Sequence, residues 1–100
     1  MTKQWSHGDF SLANGTSFQG SMNITYLELV AKLGLPSFES IDGKTQAQWV
    51  ICFTLDDGHT LVATVYDWKE HRAVDQVTCW HIGGHFPAAE VHVLELFNEE

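Results

Sequence analysis

Gln46-Ala-Gln-Trp-Val-Ile-Cys-Phe-Thr-Leu-Asp-Asp-Gly-His-Thr-Leu-Val-Ala-Thr-Val-Tyr-Asp-Trp68 places two apolar runs, rich in aromatic and β-branched residues, on either side of Asp57-Gly58. Such runs suit the pleated surface of a sheet, and an Asp-Gly pair between them supplies the turn conformation of a β-hairpin. Side chains alternate along a strand. Trp49, Ile51, Phe53 and Leu55 therefore share one face of the first strand, while Val50 and Cys52 share the other with Gln48 and Thr54. On the second strand Leu61, Ala63 and Val65 share a face opposite Val62, Tyr66 and Trp68. Neither face is wholly polar. One is expected to carry helices. The other is apolar enough to suggest a homodimer surface, a ligand floor or a partner site, against the plainer reading that Tyr66 and Trp68 cover an edge of the core.

Working outward, Asn14-Gly15 between Phe10–Leu12 and Thr16–Phe18 reads as a second hairpin, its turn of the type that needs positive φ at both central residues. Thr25-Tyr-Leu-Glu28 fits a capping box, and Gly34 followed by Pro36 ends the helix it opens. Leu27, Val30 and Ala31 form that helix's expected apolar face, with Ile24 just outside. Residues 74–82 read as a strand ended by Gly83-Gly84. Pro87 then opens a final helix over 88–97, with Val91, Leu94 and Phe97 as its stripe and Val93 and Leu96 widening it. Strands without alternating βαβ units predict an α+β fold: an antiparallel sheet of about four to five strands with two helices on one face. The expected organisation is a single domain over residues 1–100, with the polar residues 1–9 a flexible N-terminus.

The chain has 100 residues, 44% of them hydrophobic, which is the composition of a folded domain. Thirteen acids against five bases give a net charge of −8, and six histidines could cancel much of it under mildly acidic conditions. Residues 1–50 carry four acids and three bases, and residues 51–100 carry nine acids and two bases, so the halves stand at −1 and −7. This balance argues against a nucleic-acid or anionic-membrane binder, both of which need a basic footprint. Asp56, Asp57, Asp67, Glu70 and Asp75 make a candidate acidic docking patch for a basic partner, beside the reading of a solvated coat. No apolar stretch is long enough to span a membrane and no leader is visible, so Cys52 and Cys79 are expected as free thiols in a reducing cytoplasm.

Cys79-Trp-His-Ile-Gly-Gly-His85 is the run richest in chemistry. Thiolate and imidazole bind zinc, but a structural site needs four ligands and no second ligand pair has the spacing, so no metal or cofactor is expected. Cysteine–histidine catalysis through Cys79 or Cys52 with His81 would need the two in hydrogen-bond reach, and no enzymatic role is expected. Tyr66, Trp68, Trp80 and His81 could stack on a flat ligand, with Lys69 and the Gly83-Gly84 backbone facing an anion. Those seven residues form the candidate ligand- or partner-binding set.

Four segments in order carry a resemblance: Asn14-Gly-Thr-Ser-Phe-Gln-Gly20, Tyr26-Leu-Glu-Leu-Val-Ala-Lys-Leu-Gly-Leu-Pro36, Val65-Tyr-Asp-Trp-Lys69 and Trp80-His-Ile-Gly-Gly84. Together they resemble a family of small, largely uncharacterised bacteriophage and prophage proteins, the resemblance covering roughly residues 14–97. The resemblance implies action in the host bacterial cytoplasm and transfers no catalytic residue. Small acidic phage proteins look like counter-defence factors, so the leading expectation is a non-enzymatic inhibitor of a host defence protein. An anti-CRISPR protein acting on the basic channels of a CRISPR–Cas effector is one such inhibitor. The alternatives are a binder that sequesters a cyclic nucleotide immune signal, and a small enzyme or zinc protein.

Overall fold

The computed structural model describes residues 4–39, 46–68 and 72–98. In chain order the elements are β1 (Gln4–His7), β2 (Ser17–Asn23), α1 (Tyr26–Leu33), β3 (Phe38–Glu39), β4 (Ala47–Thr54), β5 (Thr60–Tyr66), β6 (Cys79–Gly84) and α2 (Ala88–Phe97), with 3-10 turns at Phe10–Ala13 and Val74–Gln76. The strands form one antiparallel sheet in the order β1-β4-β5-β6-β2, and the two-residue β3 also pairs with β4. The fold is α+β, with both helices packed into a core on one face of the sheet. No helix among the described residues is long and apolar enough to cross a membrane.

The hairpin at Asp57-Gly58 forms as its sequence predicts. Gly58 N–H donates to Leu55 O at 2.9 Å, Leu55 N–H donates to His59 O at 2.8 Å, and Gly58 takes φ +89°. The register Trp49↔Val65, Ile51↔Ala63 and Phe53↔Leu61 sets the apolar face against the helices. Trp49 and Trp80 meet edge to face beneath α1, with ring centroids 5.5 Å apart and planes at 72°. Each indole N–H is satisfied, Trp49 donating to Gly34 O at 3.0 Å and Trp80 to Val77 O at 3.3 Å. Buried aromatic residues with paired polar tips make rigid core anchors.

Helix α1 carries the complete capping box at Thr25 and Glu28, and ends at Gly34 with φ +86°. Its buried face differs from the expected one. Leu29 and Leu33 are buried and Tyr26 and Val30 pack beside them, while Leu27 is 74% exposed. The spacing 26, 29, 30 and 33 is itself one helical face, rotated from the face through Leu27 and Ala31. In α2, Ala89, Val93 and Leu96 are buried, Leu94 and Phe97 pack alongside, and Val91 is exposed. Small Ala89 packs tightly against the sheet: a Cβ on Gly84 would collide with its side chain.

Three other expectations are corrected. Asn14-Gly15 does not join two strands. Asn14 has φ −62° and ψ 131° and Gly15 has φ +80°, the dihedrals of a type II turn, and Thr16 N–H closes it onto Ala13 O at 3.1 Å. Only one positive φ is required, and a 3-10 turn precedes it. Residues 74–76 form a 3-10 turn, so β6 begins only at Cys79 and continues through Gly83-Gly84. Of the N-terminal residues expected to be flexible, Gln4–His7 pair with β4, and Trp5, opposite Phe53, packs against the core.

The second sheet face is partly covered by the chain itself. Gly8 N–H donates to Val50 O at 2.9 Å, and a Cβ on Gly8 would crowd Leu12, Cys52 and Val50. The 8–13 segment crosses β4 and β5 there, leaving Val50 buried and Cys52 half-buried. What remains open on this face is its other end, across β5, β6 and β2.

Candidate functional site

That open end holds four rings. Phe18 on β2 stands edge-on to His81 on β6, with centroids 5.1 Å apart and planes at 69°. His81 stands edge-on to Tyr66 on β5 at 5.5 Å and 70°. Tyr66 meets Trp68, just beyond β5, at 6.3 Å and 86°. The register explains the row: Tyr66 pairs with His81, and Phe18 pairs with Gly83 two residues further along β6. Neighbouring strands lie about 4.8 Å apart, so side chains on adjacent strands of one face come into ring contact.

Gly83 gives the row its shape. A Cβ there would stand 2.5 Å from Thr64 Oγ1 and 3.2 Å from Tyr66 Cε1, so the bare glycine lets the tyrosine ring lean across the strand. Burial pushes the Tyr66 phenol above its ordinary pKa, so it stays protonated as a hydrogen-bond donor. The outer members are open, Phe18 at 59% and Trp68 at 42% exposure. At the β2 edge the chain bulges between Phe18 and Gly20, and Gln19 Nε2 ties the bulge to Gly84 O at 3.0 Å and Ser17 Oγ at 3.3 Å.

Of the seven residues singled out from sequence, Tyr66, Trp68, His81 and Gly83 come together. Trp80 and Gly84 do not join them. Alternation along β6 turns both to the helix face, where Trp80 is fully buried and Gly84 lies under Ala89. Lys69 lies outside the described residues. The proposed stacking and anion-contact set is thereby divided between two faces. Phe18 is the member that sequence reasoning missed. Its neighbour His81 is far along the chain, and only the β2–β6 pairing joins them.

The acidic patch is also taken apart. Asp67 is fully buried and structural: its Oδ1 accepts from Gln46 N–H at 2.8 Å and Ala47 N–H at 3.0 Å, and its Oδ2 accepts from Gln46 Nε2 at 3.0 Å. Asp56 and Asp57 sit in the β4–β5 turn. Asp75 lies in the 3-10 turn at Val74–Gln76, on the connection between β5 and β6. Glu70 lies outside the described residues.

Cys52 and His81 are not brought together. Cys52 pairs with Val62 on β5, while His81 pairs with Tyr66 on the opposite edge of that strand, four residues along. Burial, reinforced by Asp9, pushes the Cys52 thiol up and away from thiolate formation. Cys79 precedes His81 by two residues, but the imidazole is flanked by Phe18 and Tyr66. Among the described residues no group of three His, Cys, Asp or Glu side chains could hold a metal ion.

No family model, curated protein or solved structure matches the chain. The chemistry of the site therefore rests on its own side chains. Phe18 and Trp68 are exposed, Tyr66 and His81 are half-buried between them, and three of the four rings carry polar tips. Aromatic residues of this kind are enriched at the centres of protein interfaces.

Proposed function

We propose that the chain is a non-enzymatic binding protein that engages a partner protein through the Phe18–His81–Tyr66–Trp68 row. The observation that carries this reading is the row itself: four rings in successive edge-to-face contact, open at both ends, on the sheet face away from the helices. Rigid rings lose little conformational freedom on binding and bury much apolar area, which makes them efficient anchors. The net charge of −8 favours encounter with a basic partner through the field of the whole molecule rather than through a single patch. The phage resemblance supports a host defence component as that partner, a CRISPR–Cas effector among them, with inhibition by occupancy.

Affinity capture from bacterial lysate, followed by phage plating on hosts with defined defence systems, tests the proposal. The native chain should capture a defence component and raise plating efficiency. Tyr66→Ala and Phe18→Ala, shown to be folded by circular dichroism, should lose both effects. Equal capture and plating by these variants would exclude the row as the recognition surface.

A further inference from the structure

The β2 edge is open, and its two faces carry different chemistry. Among the described residues β2 pairs only with β6, so its other edge is bare over Ser17–Asn23. At the opposite edge of the sheet, β1 and β3 cover β4. Ile24 N–H donates to Thr78 O at 3.0 Å, and the register continues through Met22↔Trp80 and Gly20↔Ile82. In an antiparallel ladder, hydrogen-bonded and non-hydrogen-bonded pairs alternate. Gly20, Met22 and Ile24 therefore turn their backbone groups to β6, and Ser21 and Asn23 turn theirs to the open edge. On the outer face this edge carries Phe18, beside His81. On the helix face it carries Gly20, where the missing side chain admits the Glu90 carboxyl group of α2 against the strand. Glu90 forms no ion pair among the described residues.

From these features we infer that β2 accepts an added strand from a partner protein, an extended segment alternating basic and apolar side chains. Its backbone pairs with Ser21 and Asn23, a Lys or Arg reaches Glu90 on the helix face, and an apolar side chain packs on Phe18 on the outer face. A second copy of this chain fits less well. Ser17–Asn23 contains no basic residue to meet Glu90, and each copy carries −8. The inference deepens the binding reading above and shares Phe18 with it.

The test uses the full-length, ¹⁵N-labelled chain and three capped octapeptides: alternating Lys-Val, alternating Glu-Val and alternating Lys-Pro. The last keeps the positive charge but cannot pair as a strand. Lys-Val should give saturable amide shifts centred on Ser21 and Asn23. Glu-Val and Lys-Pro should bind at least about tenfold more weakly, and Glu90→Gln should weaken Lys-Val by a similar factor. Ser21→Pro, which removes an outward N–H and no bond to β6, should abolish the β2 shifts. Equal binding of Lys-Pro, no saturable shift on β2, or insensitivity to Glu90→Gln would each overturn the inference. So would concentration-dependent β2 shifts without peptide together with a doubled sedimenting mass, which would identify a second copy as the occupant. Tyr66→Ala separates this inference from the broader reading, since it should abolish partner capture yet leave the β2 response to Lys-Val in place.

Discussion

Thr64 and Gly83 face each other across β5 and β6, and the threonine hydroxyl lies only 2.5 Å from where a Cβ on Gly83 would stand. Gly83→Ala is therefore expected to destabilise the fold by about 1–3 kcal/mol, the usual range for overpacking a tight site. Thr64→Ala in the same chain should return part of that loss, with a coupling of about 1 kcal/mol in a double-mutant cycle followed by urea unfolding. Strictly additive losses would place the crowding elsewhere, with the Tyr66 ring the next contact.

The same threonine supports a second test. Its hydroxyl is buried and has no hydrogen-bond partner among the described residues. Replacing an unsatisfied buried hydroxyl by a methyl group of similar size removes a desolvation penalty. Thr64→Val should leave the unfolding midpoint unchanged or raise stability by about 1 kcal/mol. A loss of more than about 1 kcal/mol would reveal a partner for the hydroxyl, such as a buried water.

Asp67 closes the start of β4 by accepting from two backbone N–H groups and the Gln46 amide. Asp67→Ala leaves those donors unpaired beside a buried Ala47, and should cost about 2–4 kcal/mol. Asp67→Asn retains a carbonyl acceptor for both N–H groups and should cost only about 1 kcal/mol. Equal losses from the two variants, read by denaturant unfolding, would show that the carboxylate charge rather than acceptor geometry holds this corner.

The outcome at Asp67 shows where sequence reading reaches and where it stops. Period-two alternation placed Trp49, Ile51 and Phe53 on one common face, which the structure shows to be the core face, and the capping box placed the start of α1, because both are set by residues close in sequence. The same alternation could have separated Trp80 from His81, which stand on opposite sides of β6. The boundary at Cys79 was not legible, because Val74 and Val77 are as apolar as a strand requires while residues 74–76 close a local 3-10 turn. Phe18 entered the site through pairing across more than 60 residues, and Asp67 left it through contacts with Gln46 and Ala47. Neither relationship is local, so residue type alone gave each the wrong role.

The β4–β5 turn carries a pH signature of its own. Asp57 Oδ2 lies 2.8 Å from His59 Nδ1, and its Oδ1 accepts from His59 N–H at 3.0 Å. The side-chain bond, then the backbone bond, lowers the Asp57 pKa below its ordinary 3.8. A depressed carboxyl pKa means that the folded turn favours the ionised form. Its stabilising contribution is complete above 3.8 and disappears as pH falls through the lower folded value. The carboxyl ¹³C shift of Asp57 should therefore titrate with a midpoint below 3.8, and His59→Ala should move that midpoint upward while the backbone bond holds part of the depression. A native midpoint at or above 3.8, or no movement in His59→Ala, would show that the pair does not persist in solution at this exposed turn.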